Sequence, residues 1–146
     1  MIYVFTADPE CPTVWALRQE DLAFRVLINE GEFGYGRNWL EVWDRGEPFV
    51  ALEHDVIPWP GACKELLECP EPRCQHRFSG APPGNLPMGL GAIKVVPVGP
   101  APAEWASIPW NRLDGWIVPH LNEELGWEHV HEPPFAHARS SLIPSP

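Results

Sequence analysis

Glu53, His54 and Asp55 follow directly on Phe49-Val50-Ala51-Leu52, so a short apolar run delivers two carboxylates and an imidazole at its carboxyl end. A run that is apolar without alternation reads as a strand covered on both faces. Ligands of open α/β sheets bind outside the carboxyl ends of such strands. In an extended chain Glu53 and Asp55 point to the same side, with Cα atoms roughly 7 Å apart, and His54 points to the other. Two carboxylates placed this way can share one divalent ion, directly or through water. Mg²⁺ and Mn²⁺ favour such oxygen ligands together with diphosphate oxygens. The plain alternative is a polar strand end with no ligand, its His54 packed against the next element.

Other residue groups also carry possible chemistry. His129 and His131 alternate on an extended segment and share a side, which suits a metal pair or a solvated, hydrogen-bonded pair. Cys63, Cys69, Cys74 and His76 lie close in sequence, and zinc accepts Cys and His. Five and four residues separate the cysteines, which departs from the usual paired spacing, so buried free thiols are the expectation. Trp59 has two readings, stacking on a sugar ring or packing. Asp114, before Gly115, fits a helix N-cap.

The bulk properties narrow the partners. The chain has 146 residues, enough for one domain whose core needs no staples. Hydrophobic residues make up 45% and net charge is −10, with only 10 Lys and Arg and no run of them. Binding through nucleic-acid phosphates requires a basic stripe, so this balance argues against direct nucleic-acid binding. An acidic protein that handles a phosphorylated ligand generally does so through a divalent cation. No apolar run approaches the roughly 20 residues of a membrane span. The N-terminus lacks a signal-peptide pattern, and the expected location is the cytoplasm, with four reduced cysteines.

Elements must position these groups. Ile2–Thr6 and Phe24–Ile28 read as strands around a helix at Pro12–Asp21, with Val14 and Leu17 inward and Trp15 a third candidate. Asn29–Gly36 reads as a loop. Arg37–Arg45 reads as a helix burying Trp39, Leu40 and Trp43, closed by Gly46. Pro48–Leu52 is the strand that leads to the acidic triplet. Strands alternating with helices imply a parallel βαβ layout. A helix at Trp59–Cys69, a loop at 70–87 and a strand at Gly89–Val96 follow. Next come a loop at Pro97–Pro109, a helix at Leu113–Leu125 ended by Gly126, an extended Trp127–His131, and a Pro-rich tail from about 133.

Several of these stretches together resemble the GT-A class of nucleotide-sugar glycosyltransferases, above all its large inverting family. The residues are Gly36-Arg37-Asn38, then Arg45-Gly46-Glu47-Pro48 through Glu53-His54-Asp55, then Pro58. Asp55 is similar to the second acid of that family's Asp-x-Asp motif, and Glu53 stands for the first. Met88 to Lys94 resembles the small-residue strand on the acceptor side. Leu113-Asp114-Gly115 resembles the acidic element whose Asp is the usual base, with Leu113 in place of its first acid. Pro133-Pro134-Phe135-Ala136-His137 resembles the late segment whose His completes a metal site. The resemblance covers roughly residues 37 to 137. It implies a single α/β domain, GT-A-like (Rossmann-like), with a mixed, mostly parallel sheet flanked by helices.

The resemblance also implies roles. Glu53, Asp55 and His137 (His131 as second choice) would hold Mn²⁺ or Mg²⁺. Asn29 or Glu30, with Arg37, Asn38 and Glu53, would contact the nucleoside diphosphate-sugar donor, and Asp114 would be the base toward an unknown acceptor. Two functions follow: a metal-dependent glycosyltransferase, or a non-catalytic GT-A-like module that binds a sugar, nucleotide or protein partner. A third, a metal hydrolase built from His129, His131, His137 and the acids, matches no ordered motif.

Overall fold

The computed structural model describes residues 1–78, 90–126 and 129–137, with only the backbone described at 77–78 and 132–137. Parallel pairing builds the first half. Strand β1 (Ile2–Thr6) lies between β2 (Phe24–Ile28) and β3 (Phe49–Glu53), parallel to both. Helices α1 (Pro12–Leu17) and α2 (Gly34–Asp44) make the crossovers. The chain continues through β4 (Val56–Ile57), α3 (Ala62–Glu68), β5 (Arg73–Phe78) and β6 (Ala92–Val95). Two 3-10 turns (Ala103–Ser107 and Trp110–Arg112), α4 (Asp114–Leu125) and β7 (His129–His137) complete it.

The strand order is β2-β1-β3-β6-β5-β7-β4. Antiparallel β6 joins β3 to β5, and β7 runs parallel to β5. Five strands therefore point one way, and only β6 and the two-residue β4 oppose them. This is a mixed, mostly parallel α/β sheet with helices on both faces, consistent with a Rossmann-like fold.

Period-two alternation splits the core into two layers. Ile2, Val4, Val50, Leu52, Ala92 and Cys74 face α1 and α3, against Val14, Leu17, Cys63 and Leu66. Tyr3, Phe5, Phe49, Ala51, Ile93 and Val95 face α2 and α4, against Trp39, Trp43, Trp105, Ile117 and Leu121. The second layer is an aromatic stack: Trp39 lies parallel to Phe5 with centroids 5.4 Å apart and edge-on to Trp105 at 6.5 Å. The Trp43 indole N–H donates to the Gly99 carbonyl at 2.9 Å, which satisfies its polar end. On β5, Arg73 is buried and donates to Asn122 and to the Gly126 carbonyl, tying the sheet to the C-terminal end of α4.

The structure differs from the sequence reading at several elements. Helix α2 starts at Gly34 instead of Arg37, because Gly34 and Gly36 permit close backbone packing. A Cβ at Gly36 would lie 1.9 Å from the Trp105 carbonyl oxygen, and one at Gly34 would lie 2.9 Å from the Asn29 backbone. Trp15 is 62% exposed, not inward. Strand β5 occupies part of the segment expected as loop, since a polar-looking Arg-Cys-Gln-His run is buried in the sheet by its tertiary partners. Of the extended segment expected at Trp127–His131, residues 129–131 open β7, which runs on to His137 through two prolines, and 127–128 lie outside the described residues. The prolines fall where the β5–β7 register shifts between His76 and Phe78, a bulge that spares them a ladder donor.

The Gly36 contact gives a direct test. Gly36→Ala should destabilise the fold by about 1–3 kcal/mol, because the added methyl meets backbone that has nowhere to go. Gly115→Ala, with open space around it in the first turn of α4, should be neutral or stabilising by up to about 1 kcal/mol. Urea midpoints measure both; equal stabilities would refute the close approach of α2 to the Trp105 turn.

Candidate functional site

The carboxyl ends of the parallel strands border a cavity of about 620 Å³. Ala7 follows β1, Asn29 and Gly31 follow β2, and Glu53 and His54 end β3; Phe5, Tyr35, Trp110, Asn111 and Asp114 complete the wall. The volume and position suit a small-molecule site. Phe49 and Ala51 bury on the α2–α4 side, so the same alternation points Glu53 that way, where the helical cover ends. Phe5 is its partner on β1.

Helix α1 holds the end of β3 in place. The Thr13 hydroxyl lies 2.6 Å from both the Glu53 and Val56 carbonyl oxygens and donates to either, and the Thr13 N–H reaches the His54 carbonyl at 3.4 Å. The chain turns at His54–Asp55, so the extended geometry expected of the triplet stops at Glu53. As a result Glu53 and His54 both line the cavity, whereas Asp55 is only 5% exposed and is not part of the wall. His54 does not point away from the acids: its Nε2 lies 3.8 Å from Asp55 Oδ2.

Tyr35 ties Glu53 to α2. Its hydroxyl donates to Glu53 Oε1 at 2.9 Å. Burial, then the charges of Glu53 and Asp114, push the phenol pKa well up, so Tyr35 remains a proton donor. Asp114 is the first residue of α4, and Leu113, not Asp114, is the N-cap. Its carboxylate accepts from the Leu90 N–H and from its own, yet desolvation dominates and raises its pKa. The carboxyl group therefore holds a proton more tightly than an exposed aspartate does.

Of the residues that the resemblance assigns to a donor, Asn29 and Glu53 reach the cavity wall. Arg37, Asn38 and Glu30 do not, because they brace the loop behind it. Asn38 donates to the Ile28 carbonyl at 3.0 Å and to Asn29 Oδ1 at 2.9 Å, and Arg37 donates to the Glu30 carbonyl at 3.1 Å. Pairing of β4 with β7 sets position 137 opposite Val56, next to Asp55 in the chain; the His137 side chain lies outside the described ones. Trp59 packs edge-on to His76 at 5.5 Å and is not a cavity residue. The aromatic wall is Phe5, Tyr35 and Trp110 instead. Tyr35 and Trp110 went unnoticed in the sequence; the only signal was an aromatic between the two glycines that open α2 and another directly after Pro109.

The sequence matches no protein-family model and no curated protein. Among solved structures the chain is similar to the crystal structure of a glycosyltransferase involved in the glycosylation of the major capsid of PBCV-1. The two share 16% identity over 96% of this chain and 95% of that one, with a TM-score of 0.41. Among the described residues no helix is long and apolar enough to cross a membrane.

The raised pKa of Asp114 makes a signed prediction. The folded protein binds this proton more tightly than the unfolded chain, so Asp114 costs stability as pH rises through the unfolded value, near 3.9, to the raised folded one. Asp114→Asn should therefore raise Tm at pH 7 and change it little at pH 3. Thermal scans at both pH values check this; a variant less stable at pH 7 would contradict the desolvation argument.

Proposed function

We propose that the chain is a divalent-metal-dependent GT-A-type glycosyltransferase that moves a sugar from a nucleoside diphosphate-sugar to an acceptor hydroxyl. The observation that carries this reading is that Glu53, from the end of β3, and Asp114, from the start of α4, face one cavity at the carboxyl edge of the parallel strands. The cavity wall contains no Lys or Arg among the described residues. A diphosphate entering beside two carboxylates therefore calls for a cation.

Glu53 supplies a hard oxygen donor at the cavity, which fits Mn²⁺ or Mg²⁺. Asp55, the buried second residue of the turn, and His137, at the position paired with Val56, would complete the ligand set. When bound, such an ion neutralises the departing diphosphate. Tyr35 fixes the Glu53 carboxylate by its hydrogen bond. Asp114 accepts the proton of the acceptor hydroxyl, and its raised pKa moves it toward the working pH of a general base. Trp110, 59% exposed at the cavity, offers an apolar face for a sugar or base ring. A base on the acceptor hydroxyl suits transfer with inversion.

A second reading is favoured by Leu113. The position where the family carries an additional acid is filled by a fully buried leucine packed in the aromatic layer, which suits a binding module that has lost turnover.

Calorimetric titration of nucleoside diphosphates and nucleotide sugars, with and without Mn²⁺, separates the two. The expected result is metal-dependent binding that Glu53→Gln and Asp55→Ala both abolish. Asp114→Asn should keep donor affinity within about twofold and lower turnover by about 10²–10⁴. Full turnover in Asp114→Asn would remove Asp114 from the base role. Donor binding without turnover in the native chain would select the module, and no binding by the folded chain would defeat both as nucleotide readings.

A further inference from the structure

The opposite face of the sheet carries a second group of ligating side chains. Cys69, the C-cap of α3, Cys74 on β5 and His131 on β7 present ligand atoms that all lie within 4.8 Å of one another. Cys69 and Cys74 are 9% and 0% exposed, and both are free thiols. The β5–β7 register explains the meeting: Cys74 pairs with His129 and His76 with His131, so alternate residues of both strands project on the α3 side. This site is separated from the cavity by the sheet itself, since Cys74 belongs to the layer under α1 and α3 while Phe5 and Tyr35 belong to the other.

The imidazole is already oriented. Glu65 Oε1 lies 2.9 Å from His131 Nδ1, while His131 Nε2 is buried and has no hydrogen-bond partner among the described residues. A carboxylate on one ring nitrogen fixes the tautomer and leaves the other nitrogen as the ligand, the usual support of a metal-bound histidine. The His76 ring stacks on His131 with centroids 5.2 Å apart and limits its rotation. The loop bearing Cys69 is held from below: the buried Lys94 ammonium donates to the Cys69 and Glu71 carbonyls at 2.8 and 2.5 Å. The backbone at Cys69 is thus held by Lys94, and that at Cys74 by its pairing with β6 and β7.

We propose that Cys69, Cys74 and His131 form a zinc site, with Glu65 as the positioning residue for His131. Two sulfurs and one imidazole are the soft and borderline donors that select Zn²⁺ over the Mg²⁺ or Mn²⁺ suited to Glu53. Ligand atoms of a filled tetrahedral site stand about 3–4 Å apart, so the present spread closes with a small contraction. No fourth donor joins these three among the described residues, which leaves one position to water. Zinc takes both sulfurs as thiolates, so binding releases protons and affinity falls as pH falls. The site does not depend on the glycosyltransferase reading.

Cobalt substitution of the reduced, chelator-treated chain tests it. One equivalent of Co²⁺ should give tetrahedral visible bands and near-ultraviolet thiolate-to-cobalt charge transfer, and one equivalent of Zn²⁺ should bleach both. Cys69→Ser and Cys74→Ser should each remove about half of the charge-transfer intensity, and Glu65→Gln should weaken Zn²⁺ about 10-fold with the spectrum intact. Asp55→Ala and Glu53→Gln should leave the spectrum unchanged. Cobalt bound without charge transfer would place the ion on oxygen and nitrogen donors alone, at Glu65, His76 and His131 or at Glu53, and overturn the proposal. So would no stoichiometric binding, or a mass loss showing a Cys69–Cys74 disulfide in the native chain.

Discussion

Strands β1 and β3 are buried on both faces, and that constraint organises the rest of the molecule. Ile2, Val4, Val50 and Leu52 require one apolar cover, and Tyr3, Phe5, Phe49 and Ala51 require another. Helices must therefore flank both sides, and the only place for polar groups on β3 is its end. Glu53 emerges there, where the cover stops, and the buried backbone of the turn needs hydrogen-bond partners of its own. Thr13 meets that need through its hydroxyl and N–H. A core residue at the start of α1 thus anchors the backbone that carries a carboxylate forty positions later in the chain.

Electrostatics at the cavity run against stability. Glu53 and Asp114 converge from different elements, and Tyr35 experiences both charges. Its hydrogen bond holds the Glu53 carboxylate, whereas Asp114 has backbone donors against its desolvation. A neutral side chain at 114 would avoid this desolvation cost.

The two faces of the sheet carry different donor chemistry. The α2–α4 side presents carboxylates and aromatic rings on an open cavity. The α3 side presents thiols and imidazoles, enclosed and held by a buried lysine and a carboxylate. Hard and soft ligands are thus kept apart by strands whose own alternation sends successive residues to opposite sides.

Much of this was legible in the sequence because it depends on local pattern. The apolar runs at 2–6, 24–28 and 49–53, the Trp39–Trp43 helical face and the Gly126 stop mark elements whose periodicity is their own. The placement of Glu53 at a strand end follows from the same run. What the tertiary structure decided is everything set by contacts between distant segments. Thr13 holds the end of β3 and the chain turns at His54–Asp55, so Glu53 lines the cavity while Asp55 is buried, where an extended chain would have set both on one side. Tyr35 reaches Glu53 only because glycines at 34 and 36 let α2 approach Asn29 and Trp105. Strand β5 is a strand only because β6 and β7 flank it. Cys69, Cys74 and His131 have no motif spacing, since 57 positions of chain separate the last two and only parallel pairing closes that gap. Local propensity writes periods into a sequence; which side chains meet is set by register and packing, which no single segment contains.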